Sequence, residues 1–136
     1  GVFLRTEGLF LSRSDYNHVM KFFLILLFSV STFLHADMFK DLEISNALLA
    51  ASGYGAKQTW STNELENVED LISKFSDPDL KKMWYANLVL YALTSNGIGK
   101  QPPSAHCKIA KTNIPKIKDK DLVQLWNMNY SLYGCR

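Results

Sequence analysis

Cys107 and Cys135 are the only cysteines of the 136-residue chain, and His106 stands directly before the first of them. A thiol beside an imidazole is the material of a nucleophilic pair, of a metal site or, with a second thiol, of a disulfide. The nucleophile needs the imidazole within hydrogen-bond reach of the sulfur, and side chains adjacent in sequence seldom point at each other. Zinc needs at least three ligands, which would take every His and Cys left once His18 and His35 are assigned to segments that leave the mature chain. No C-x-x-C pair is present, so the usual oxidoreductase signature is missing. A Cys107–Cys135 disulfide is the expectation. Closing that loop removes unfolded-state entropy worth roughly 3 to 4 kcal/mol in the chain-entropy model.

The acidic residues suggest one further chemistry. Glu66 and Asp70 lie four apart on a helical pattern, the spacing that puts two carboxylates on one face. Glycosidases use such pairs, but no sugar cleft is suggested nearby, and a solvated helix face explains them. Glu43, Glu64 and His106 are the only other polar residues to nominate, and none acquires a role. His106 reads as a loop histidine without a special partner. The chain is therefore expected not to be an enzyme, and neither metal nor cofactor is implied.

Charge and aromatic content point to binding. Acids cluster between Asp37 and Asp79, whereas Lys100, Lys108, Lys111, Lys116, Lys118, Lys120 and Arg136 dominate the C-terminal third. Lys108, Lys111, Lys116 and Lys118 are candidate contacts for a protein partner or an anionic envelope component. Arginine is scarce and few aromatics interleave the lysines, which disfavours nucleic acid. Trp84, Tyr91 and Trp126 are candidates to line an apolar ligand site, although aromatics at helical spacing usually serve a core.

The setting for these residues comes from Met20 to Ala36. Lys21 supplies a charged start, Phe22–Leu34 an apolar run and Ala36 a small residue for cleavage, the pattern of an export signal. The run is shorter than the roughly 20 residues that span a bilayer, so no stable membrane span is expected after cleavage. Residues 1–19 read as a non-native upstream leader, 20–36 as signal peptide and 37–136 as one mature helical domain. The product is expected in the periplasm or secreted, an oxidising setting that suits the disulfide.

Four amphipathic patterns must position the candidate residues. Asp37–Ser52 predicts a helix with Met38, Leu42 and Leu49 near one face, widened by Ile44 and Leu48, and Gly53 as its left-handed cap. Ser61 with Glu64 forms a capping box, followed by Leu65, Val68, Leu71, Ile72 and Phe75 at helical spacing. Asp77-Pro78 opens a third helix to about Ser95, apolar nearly all round and hence the candidate central helix. Gly97 to about Lys116 has lost periodicity and reads as a long loop with room for a short helical turn at Ser104–Lys111. A last helix, Lys118–Tyr133, places Leu122, Leu125, Trp126, Asn129, Leu132 and Tyr133 on one stripe. The fold class is all-α, a small single-domain bundle of about four helices. Its expected function is protein–protein interaction, as an inhibitor, accessory or chaperone-like factor, through the tethered basic loop. Carriage of a small apolar ligand between helices is the alternative.

Overall fold

A computed structural model describes residues 36–136 together with positions 17 and 21. The leader at 1–19 and the signal peptide at 20–36 therefore fall almost wholly outside the described residues. The chain divides into the units Gly1–Met38 and Phe39–Arg136. Among the described residues the structure is entirely helical, with five α-helices and no strand.

Helix α1 occupies 36–51. Its buried positions are Asp41, Ile44 and Leu48, three and four apart, followed by Ser52 just beyond its end. The expected stripe of Met38, Leu42 and Leu49 is exposed instead. Asp41 holds the core face because its carboxylate accepts from the backbone N–H groups of Ser76 (2.7 Å) and Asp77 (3.0 Å), which ties α1 to the turn before α3. Gly53 and Gly55 adopt φ of +57° and +86° in the 3-10 turn that follows, and Tyr54 between them is also left-handed. Only glycine takes such angles freely, so the chain breaks here as expected.

Helix α2, Thr62–Ser73, starts at the predicted capping box: Ser61 Oγ accepts from Glu64 N, and Glu64 Oε2 accepts from Ser61 N. Its core face is Leu65, Val68 and Ile72. Helix α3, Pro78–Leu93, starts at Asp77, whose carboxylate accepts from the N–H groups of Asp79 and Leu80. It packs against α2, against α4 (Ser104–Asn113), against α5 (Lys120–Leu132) and against the 3-10 turn Ile114–Ile117. Leu88, Val89, Ala92 and Leu93 have no exposed surface, confirming α3 as the central helix. Each such Leu or Val contributes roughly 1.5 to 3 kcal/mol by leaving water.

The long loop predicted at 97–116 is replaced by α4 and the turn that continues it; only 97–103 lacks helical structure. The buried face of α4 is His106, Cys107, Ala110 and Asn113, at helical spacing but chemically mixed. A search for apolar periodicity passes over such a face. The last helix forms where expected, with Asp119 Oδ1 accepting from Leu122 N at 2.9 Å, but it is turned differently. Val123, Trp126, Tyr130 and Tyr133 pack on the core, while Leu122, Leu125 and Leu132 of the predicted stripe face away.

Candidate functional site

The C-terminal third carries most of the candidate residues, and α4 organises it. Cys107 and Cys135 stand at disulfide distance, with Cα atoms 5.6 Å apart, so α4 is joined to the end of the segment that follows α5. His106, one residue earlier, is buried rather than in a loop, and it has partners on both ring nitrogens. Ser95 Oγ lies 2.6 Å from Nδ1 and Thr62 Oγ1 lies 2.9 Å from Nε2. Ser95 Oγ also lies 2.9 Å from Ala92 O, so the hydroxyl is shared between the end of α3 and the ring. The ring thereby joins the start of α2, the end of α3 and the first turn of α4. Burial pushes its pKa below the ordinary 6.5, which favours the neutral ring.

A threonine hydroxyl within hydrogen-bond reach of an imidazole resembles the first half of a nucleophilic relay. The orienting group is a serine hydroxyl, however, not the carboxylate that stabilises an imidazolium. The arrangement is structural in form. Asn113, at the other end of α4, is fully buried and donates through Nδ2 to Glu69 Oε2 on α2 and to Ile109 O. The buried role of both residues is not legible in the sequence, since a partner 44 positions away leaves no local signal.

The four candidate lysines separate into two pairs. Lys108 and Lys111 border an open cleft of about 600 Å³ with Arg136, Gln101 and Ser104, beside the disulfide. Lys116 and Lys118 border a smaller cleft of about 190 Å³ with Lys81, Lys82, Tyr85 and Pro78. There the Lys116 ammonium sits 5.2 Å from the centre of the Tyr85 ring, a cation–π contact. Lys81 and Lys82 lie just after the acidic stretch, outside the basic third, so only folding unites them with it.

The three candidate aromatics do not form one lining. Trp84 is buried in the core, and Trp126 is half-buried against it. Tyr91 stacks on Trp60 with ring centres 4.5 Å apart, and also borders a cleft of about 870 Å³ with Leu90, Ile98, Tyr133, Lys57 and Gln58. The acids are accounted for locally. Asp70 pairs with Lys74 across one helical turn, Glu66 is exposed, and Glu64 pairs with Lys57 at 2.8 Å. The Lys57 ammonium and the Ser61 N–H hold the Glu64 carboxyl at a pKa of about 2. Among the described residues no three His, Cys, Asp or Glu side chains converge as metal ligands, and no helix is long and apolar enough to cross a membrane.

One surface was absent from the expectations. Helix α5 contains no buried residue, and Leu122, Leu125, Met128 and Leu132 are 42%, 49%, 57% and 80% exposed along it. Val123, Asn127, Met128 and Leu132 border an apolar cleft of about 720 Å³ there. The signal lay in the sequence, because α5 has more apolar residues than one face can bury: two stripes, one aromatic and one aliphatic, compete for the core. Comparison with protein-family models, with curated proteins and with solved structures finds no match to this chain.

Proposed function

We propose that this chain works without catalysis, as a small exported protein that binds another protein. It acts as an inhibitor, accessory subunit or chaperone-like factor, and the aliphatic ridge of α5 is its contact surface. The ridge is the observation that carries the reading. A helix anchored by its aromatic face, with a disulfide just beyond its end, holds four apolar side chains toward solvent at helical spacing. Contiguous exposed apolar surface of this kind marks recognition sites, and helix faces are commonly read by apolar grooves. From Gly97 onward seven bases face only Asp119 and Asp121, so the fitting partner is a protein with an apolar groove and an acidic rim. This moves the contact from the basic segment first expected, whose inner side is occupied by α4's own packing.

Native mass spectrometry on protein enriched from its source without reducing agent tests the reading. A polypeptide adduct is expected for the wild type and not for Leu125→Asp/Leu132→Asp. An adduct indifferent to both substitutions would remove the ridge from consideration.

The carrier reading is favoured by a different observation, the cleft of about 870 Å³ beside Leu90, Tyr91, Ile98 and Tyr133. Its size suits a small ligand. It opens at the surface, rather than between helices around Trp84 and Trp126 as first expected. A small apolar adduct in the same experiment, lost on Tyr91→Ala, would put this reading first.

A further inference from the structure

We propose that the cleft between the first half of α3 and the turn Ile114–Ile117 is a binding site for a phosphate group, formed by Lys81, Lys82, Lys116 and Lys118 around Tyr85. The site is separate from the α5 ridge and does not depend on it. Four lysine side chains from two distant stretches of sequence line one cleft of about 190 Å³. Lys82 has a carboxylate near it, Asp79 at 3.9 Å, while Lys81, Lys116 and Lys118 have none within ion-pair distance among the described residues. Lys81, Lys82 and Lys116 are half-buried, so their mutual repulsion is less screened by solvent than that of free surface lysines. An anion seated among them offsets the repulsion between like charges.

The frame is rigid. Tyr85 is buried, and Ile114 and Ile117 are almost fully buried on either side of Lys116. Lys118 is held at φ +60°, a left-handed conformation that side-chain-bearing residues rarely adopt, and this places its side chain at the end of the turn on the cleft. The ligand class follows from the chemistry of lysine. Compact point charges suit a small, highly charged anion, whereas planar carboxylates are better matched by the arginine fork, which this cleft lacks. A phosphate monoester carries close to two negative charges near neutral pH, and the cleft admits the phosphate while leaving its carrier outside. That carrier is either a soluble molecule or a lipid headgroup.

The test is thermal unfolding of the full chain in inorganic phosphate against chloride at matched ionic strength. A rise of roughly 5 °C that saturates at millimolar phosphate is expected. Lys116→Gln/Lys118→Gln should abolish most of it, and Lys108→Gln/Lys111→Gln, at the other basic cleft, should leave it intact. If the first double variant does not fold, Lys81→Gln serves the same purpose from the α3 side. Sedimentation with phosphatidylcholine vesicles, with and without phosphatidic acid, separates the sources. Capture that requires phosphatidic acid and is lost in Lys116→Gln/Lys118→Gln assigns the site to a headgroup, and a phosphate shift without such capture assigns it to a soluble phosphate. A shift equal in wild type and Lys116→Gln/Lys118→Gln, a shift that follows Lys108 and Lys111 instead, or no shift with no capture would each overturn the proposal.

Discussion

Helices α4 and α5 are neighbours in sequence and in space, yet they invert the usual division of residues. The first buries a histidine and an asparagine, and the second keeps four large aliphatic side chains at its surface. What separates them is the supply of partners. His106 finds hydroxyls on α2 and at the end of α3, and the Asn113 amide nitrogen finds the Glu69 carboxylate and Ile109 O, so hydrogen bonds offset the cost of drying these groups, while Asn113 Oδ1 is buried without a partner. On α5 the core has room for one stripe, and Val123, Trp126, Tyr130 and Tyr133 fill it. The comparison teaches that burial here follows complementarity with a particular neighbour, and that the leftover aliphatic ridge is surplus to folding.

The contrast can be broken most forcefully at the disulfide. Cys107→Ser/Cys135→Ser should lower the unfolding free energy by about 2 to 5 kcal/mol in urea titration, because it returns to the unfolded chain the entropy that the closed loop removes. Asn113→Ala should cost about 2 kcal/mol, since it creates a small void and strips the Glu69 carboxylate of a buried donor. A loss below half a kcal/mol would mean that α4 is held by its apolar neighbours alone.

Acid sharpens the same comparison. The folded pKa of His106 lies below its unfolded value, so the unfolded state takes up the proton first. The stability contributed by the neutral ring is complete above pH 6.5 and is lost as pH falls from there toward the folded pKa. Urea titrations at pH 7.5 and pH 5 should show this decline in the wild type and not in His106→Gln. Glu64 acts in a lower window. Its depressed pKa means that its contribution is present above the ordinary 4.5 and disappears as pH falls through about 2, which carboxyl chemical shifts would follow residue by residue.

The smallest effect on stability is expected on the ridge. Leu125→Asp and Leu132→Asp should each change the unfolding free energy by less than about 0.5 kcal/mol, the range for exposed positions. The same variants should abolish partner binding, and a large loss of stability would show that the ridge belongs to the fold after all.

Wherever a local rule sufficed, the residues could be read directly. The capping box at Ser61 and Glu64, the Asp77-Pro78 start, the cap at Gly53 and the central position of α3 all follow from a few adjacent side chains or from composition along one helix. The pairing of Cys107 with Cys135 needed only their number and the oxidising setting expected from residues 20–36. The misreadings share one cause. Asp41, His106 and Asn113 are buried through partners tens of residues away, and no local pattern announces a partner at that distance. The orientation of α5 was undecidable locally because its two apolar stripes are of similar strength. The candidate lysines were found by charge, but their division between two clefts, and the addition of Lys81 and Lys82 to one of them, awaited the docking of the 114–117 turn on α3.

Sequence by itself determined the helical class, three of the helix starts and the covalent tether, because capping, propensity and cysteine count act over a few residues or over none. Tertiary structure alone decided that residues 104–113 form a helix with a polar core face, which stripe of α5 is left for solvent, and which lysines share a cleft. Each of those outcomes turns on how much room and which hydrogen-bond partners a neighbouring element offers, and such complementarity comes into existence only when the elements meet.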